Sequence, residues 1–178
     1  MTTEGYVRTT IDGIAAESGV AVQTVYNSVG NKSALLSAVL DSAAAGGAQP
    51  GVLEFMRERT RKAPDFESLV GVLADWFAEV YPRAAGIVAV IGQAAAVEES
   101  AAQLEKDRGQ RRLRRYEEAA AETRARGGLS SGISDAEAAA AIWSLGHPQV
   151  YRALVQDAGW PLPAYREWLA KALAAALA

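Results

Sequence analysis

Residues 10–28 read Thr10-Ile11-Asp12-Gly13-Ile14-Ala15-Ala16-Glu17-Ser18-Gly19-Val20-Ala21-Val22-Gln23-Thr24-Val25-Tyr26-Asn27-Ser28. Ile11, Ile14 and Ala15 fall on one helical face, Thr10 precedes them as an N-cap and Asp12 sits in the first turn, so a short helix is expected to end near Ser18. Gly19 enters a left-handed conformation at little cost, and Ala21 to Ser28 reads as a second short helix with Val25 turned inward. A small residue at Ala15 lets the two helices cross closely, and Val20 and Val25 are expected to lock the second against the first. Val22, Gln23, Tyr26 and Asn27 are then left pointing outward. A two-helix unit of this kind can lay its second helix in the major groove of DNA, where Gln and Asn pair with base edges.

Working outward, Lys32 to about Ala45 carries Leu35, Leu36, Val39 and Leu40 at the spacing of an apolar helical stripe. Gly46, Gly47, Pro50 and Gly51 make the clearest break in composition, which divides the chain into a module of residues 1–46 and a second domain of residues 52–178. Beyond the break, helices are expected at Val52 to Lys62, Phe66 to Tyr81, Arg83 to Val97, Ala101 to Arg126, Asp135 to Leu145, Pro148 to Ala158 and Pro163 to Leu177. Pro64, Pro82, Pro148, Pro161 and Pro163 disfavour helix in the residue before them, while Gly127, Gly128 and Gly159 suit C-terminal caps. The fold class is all-α: a helix-turn-helix module followed by a helical bundle.

Composition agrees. Of 178 residues half are apolar and 22% charged, enough to bury a core without staples. With no cysteine and a single histidine there is no disulfide, no thiolate site and no histidine-built metal centre, and no cofactor is expected. Met1 to Gly5 has no signal-peptide character, and the longest apolar runs, Ile87 to Ile91 and Ala172 to Ala178, fall short of the roughly 20 residues that cross a bilayer. A cytoplasmic chain without a membrane partner is expected. A net charge of −3 means that any DNA contact depends on local placement of groups.

Gly5-Tyr6, Thr9-Thr10-Ile11-Asp12-Gly13-Ile14-Ala15, Ser18-Gly19-Val20, Thr24-Val25-Tyr26 and Asn31-Lys32-Ser33-Ala34-Leu35-Leu36 together resemble the signature of the TetR family over about forty residues. The resemblance implies a DNA-binding transcriptional regulator, commonly a homodimeric repressor that a small-molecule effector releases from a double-stranded DNA operator. It implies phosphate contacts for Thr10, Thr24, Tyr26 and Lys32, and base contacts for Val22, Gln23, Asn27 and Ser28. For Tyr26, a ring packed beneath the recognition helix is the competing reading. Two features depart from the family. A basic helix normally precedes the Gly-Tyr pair, where this sequence has four residues, so a misassigned start or a truncation is expected. Residues 1–45 also hold only Arg8 and Lys32 against Glu4, Asp12, Glu17 and Asp41, which keeps open a ligand-binding dimer that has lost DNA binding.

From Val52 onward there is no phosphate loop, no nucleophile elbow and no His-Glu pair at metal spacing, so no enzyme is expected. Glu98 and Glu99 diverge around a helix and read as solvated surface. Trp76, Phe77, Tyr81, Gln93, Tyr116, Trp143 and His147 are the candidates for lining an effector cavity, with an ordinary core as the competing reading and a capping role for His147. Arg108, Arg111, Arg112, Arg114 and Arg115 read as a solvated helix face balanced by Glu105, Glu117, Glu118 and Glu122. The stretch from Ile142-Trp143-Ser144-Leu145 to Trp168-Leu169 resembles the end of one branch of TetR-type regulatory domains. That implies a four-helix homodimer interface built from Asp135 to Leu145 and Pro163 to Leu177, or alternatively an intrachain core.

Overall fold

The structure, a computed structural model, describes residues 6, 8–46, 52–130 and 132–178. The expected absence of a leading helix and the expected boundary over residues 47–51 both lie outside them. Every element among the described residues is a helix.

Helix α1, Ile11–Ser18, starts where the Thr10 hydroxyl oxygen accepts from the Gly13 N–H at 3.0 Å. It ends at Gly19, whose φ of 68° is the left-handed turn that no side chain adopts cheaply. Helix α2, Val22–Val29, follows at once, and Asn31 caps α3, Lys32–Ala45, by accepting from the Ala34 N–H at 2.8 Å. Ile11, Ala15 and Val25 form a small core of their own, with Val29 and Leu35 against it. Val20, expected to lock this packing, is 43% exposed instead, because the turn at Gly19 carries it past the helix crossing.

Helix α3 faces two ways. Leu35 closes the small core, whereas Leu36 and Leu40 are buried with Tyr6 in the main core. Val39, counted in the same stripe, points to solvent.

The second part comprises α4 (Val52–Lys62), α5 (Phe66–Ala95), α6 (Glu99–Ala125), α7 (Asp135–Leu145), α8 (Pro148–Tyr151) and α9 (Leu162–Leu177). The break expected at Pro82 does not occur. Helix α5 runs through it for 30 residues, about 45 Å. Pro82 lies on the exposed face of α5, while Val80, Tyr81, Ala84 and Ala85 on the other face are buried, and their packing outweighs one lost backbone hydrogen bond. Helix α8 widens into a π-helical segment, Arg152–Asp157, where an ordinary helix was expected.

Helix α9 lies along α5. Its Tyr165, Leu169, Leu173 and Leu177 have no exposed surface, so this half of the expected interface stripe serves the intrachain core. Trp168, Ala172 and Ala176 are half-buried along its flank.

Candidate functional site

The outward face of α2 is built as its sequence requires. Val25 is its only fully buried side chain, so Val22, Gln23, Thr24, Tyr26, Asn27 and Ser28 all stand exposed. Tyr26 is 48% exposed and does not pack beneath the helix. Asn27 accepts from the Gln23 amide at 2.9 Å, which holds the two amides side by side on successive turns. No side chain caps the first turn of α2, leaving its leading N–H groups open to a phosphate. Thr10 is exposed, and its hydroxyl proton is free to donate while its oxygen caps α1.

Lys32 is less free. Its ammonium donates to the Tyr6 carbonyl at 2.5 Å and sits 3.7 Å from the centroid of the Tyr6 ring. The Tyr6 hydroxyl in turn donates to Glu98 at 2.5 Å. Burial and this carboxylate push the Tyr6 phenol far up, while hydrogen bonds from Ser100 and Tyr6 hold the Glu98 carboxyl below its usual range. Two further contacts tie α3 to the second part. Arg108 of α6 donates to Ser37 at 2.7 Å and Asp41 at 2.6 Å, and Arg83 of α5 donates to the Ala43 carbonyl at 3.0 Å.

A short helix pair that exposes a second helix of this composition, on a third helix buttressed from behind, is the helix-turn-helix of DNA-binding transcriptional regulators. Residues 1–39 match the family model described as bacterial regulatory proteins, tetR family. Residues 1–39 thus carry a helix-turn-helix module similar to the DNA-binding part of TetR-family transcriptional regulators. No curated protein matches it.

The effector candidates divide. Phe77 stacks on Tyr81 with centroids 5.6 Å apart and meets Tyr116 edge-on at 6.0 Å, so α5 and α6 share one aromatic cluster. Trp143 and His147, 5.1 Å apart at the end of α7, adjoin it through Arg112, whose guanidinium carbon is 5.5 Å from the Trp143 ring. Trp76 is only half-buried, and Gln93 is exposed three turns along α5 from Tyr81. His147 also has the capping role: its Nδ1 accepts from the Gln149 N–H at 3.2 Å, which fixes the proton on Nε2. Burial first, then the Arg112 charge, lowers its pKa.

Three members of the cluster escaped the sequence reading. Tyr151 lies 5.6 Å from Tyr81 and 5.4 Å from Tyr165, extending the aromatic chain to α8 and α9. Arg112 reads as part of a solvated helix face in the sequence but is half-buried in the fold. The signal was its register, because Arg108, Arg112, Tyr116 and Ala120 follow one another at four-residue intervals and Tyr116 and Ala120 are buried. Arg111, Arg114 and Arg115 are the exposed arginines of that run. Among the described residues no group of carboxylates or histidine could hold a metal ion, and no helix is long and apolar enough to cross a membrane.

Proposed function

We propose that the chain is a homodimeric repressor whose two α2 helices meet half-sites about one DNA turn, roughly 34 Å, apart, and that a small molecule in the aromatic cluster releases it. The observation that carries this reading is the double attachment of α3. It closes the small core behind the recognition helix and is gripped by α6 through Arg108, one turn from Arg112 at the cluster. A ligand that prefers one posture of α6 therefore biases the posture of α3, and operator affinity changes by the same factor. Thr10, Thr24, Tyr26 and Lys32 would hold phosphates, and Val22, Gln23 and Asn27 would meet bases. The outer faces of α7 and α9 would join the protomers.

The test is a gel shift on the DNA upstream of its own gene at graded salt, with and without small molecules that raise the melting temperature. Specific binding that such a molecule reverses supports the reading. The excess of four carboxylates over two cations in residues 1–45 favours a second reading, a ligand-binding dimer without DNA affinity. A melting shift without any retarded DNA band selects it.

A further inference from the structure

We infer that the aromatic cluster takes an organic monocarboxylate, an apolar ring or chain bearing one anionic head, with Arg112 as its counter-charge. This rests on the effector reading above and adds the chemical class.

Two arginines lie one turn apart on the buried stripe of α6 and are treated differently. Arg108 is satisfied by Asp41 and Ser37. Arg112 has the Trp143 ring beneath it and no carboxylate beside it among the described residues, and its Nε is buried without an acceptor. A ring face attracts the charge but accepts little from the five N–H donors of a guanidinium. Leaving a half-buried cation unpaired is costly, and its usual resolution is an anion in bidentate contact.

The neighbouring groups point the same way. Trp143 Nε1 and the Tyr165 hydroxyl are also buried without a partner, and Tyr165 has no exposed surface at all. The indole can only donate, and His147, with Nδ1 engaged by Gln149, presents Nε2 as a donor. The Tyr81 hydroxyl already donates to the Gly146 carbonyl. Trp143 and His147 thus hold spare donors beside one positive charge. No aspartate or glutamate is among the fully buried described residues. A carboxylate supplies two acceptor oxygens and the missing charge; an alcohol or amide supplies an acceptor alone, and an ammonium is repelled. Phe77, Tyr81, Tyr116 and Tyr151 suit the apolar remainder of such a molecule.

The experiment uses the full chain and a graded series of straight-chain and aryl-alkyl monocarboxylates, each with its matched primary amide, followed by calorimetry and melting temperature. A carboxylate is expected to bind at least about tenfold more tightly than its amide. Arg112→Met should abolish that preference, Arg112→Lys should keep part of it, and Arg114→Gln, which removes the same charge from the exposed face of α6, should leave it intact. Circular dichroism of both Arg112 variants separates a lost contact from a lost fold. Equal binding of acid and amide, or acid binding that survives Arg112→Met, overturns the assignment of class while leaving an effector site in place. Failure of every acid and every amide to bind overturns both.

Discussion

The Tyr6 phenol reaches Glu98, 92 residues further along the chain, and shares its carboxylate with the Ser100 hydroxyl at the head of α6. Since the same tyrosine carries Lys32 on its ring and carbonyl, the lysine that would meet a phosphate is positioned by the start of α6. Tyr6→Phe and Glu98→Gln are each expected to cost about 1–2 kcal/mol of stability, and the double variant little more than one of them. Chemical denaturation of the four proteins checks this, and additive losses would show that the pair does not act as a unit.

Different side chains of the recognition module should affect DNA binding in different ways. Gln23→Ala and Asn27→Ala are expected to relax base preference at single operator positions by about 1–3 kcal/mol each. Lys32→Ala should weaken binding to all sequences alike and reduce the salt slope by about one. Fluorescence anisotropy on operator variants at several salt concentrations distinguishes the two patterns.

Gly146 touches the Phe77 ring so closely that a Cβ added there would lie 2.2 Å from the ring tip. Gly146→Ala is therefore expected to destabilise the fold by about 1–3 kcal/mol through overpacking. Phe77→Leu in the same chain should recover part of the loss. A Gly146→Ala protein as stable as the parent in denaturant would mean that the ring has room to retreat.

His147 is the sole histidine, so its proton resonance needs no assignment. With its pKa lowered in the folded chain, it binds protons less readily than in the unfolded one. Its contribution to stability is complete above the ordinary value near 6.5, and is lost as pH falls from there through the folded value. Nuclear magnetic resonance titration should give a midpoint below 6.5, and Arg112→Met should move it upward by removing the lesser of the two causes.

Local chemistry made the recognition module legible. Thr10, Gly19 and the spacing of Ile11, Ala15 and Val25 each specify a backbone event within a few residues, and the helices formed where those residues put them. Pro82 misled because its effect depends on which face of α5 meets the core, a tertiary fact that no local rule contains. The cluster was half legible. Phe77, Tyr81 and Tyr116 betray themselves by type, but an arginine reads as solvent-facing until its register against Tyr116 is checked. Glu98 reads as solvated surface in the sequence yet accepts from Tyr6, because its partner is remote in sequence and only the fold brings the two together.

Helix α6 gives the protein one rod with Glu98 at its head, Arg108 near its middle and Arg112 about 6 Å beyond. On the proposed function, a push at Arg112 is expected to reach Ser37, Asp41 and Tyr6 together through Arg108 and Glu98. The traffic also runs backwards. On the proposed function, an operator fragment added to the free protein should stiffen the rod from the α3 end and dim or brighten Trp143 with no effector in the tube, so that the indole doubles as a gauge of DNA occupancy.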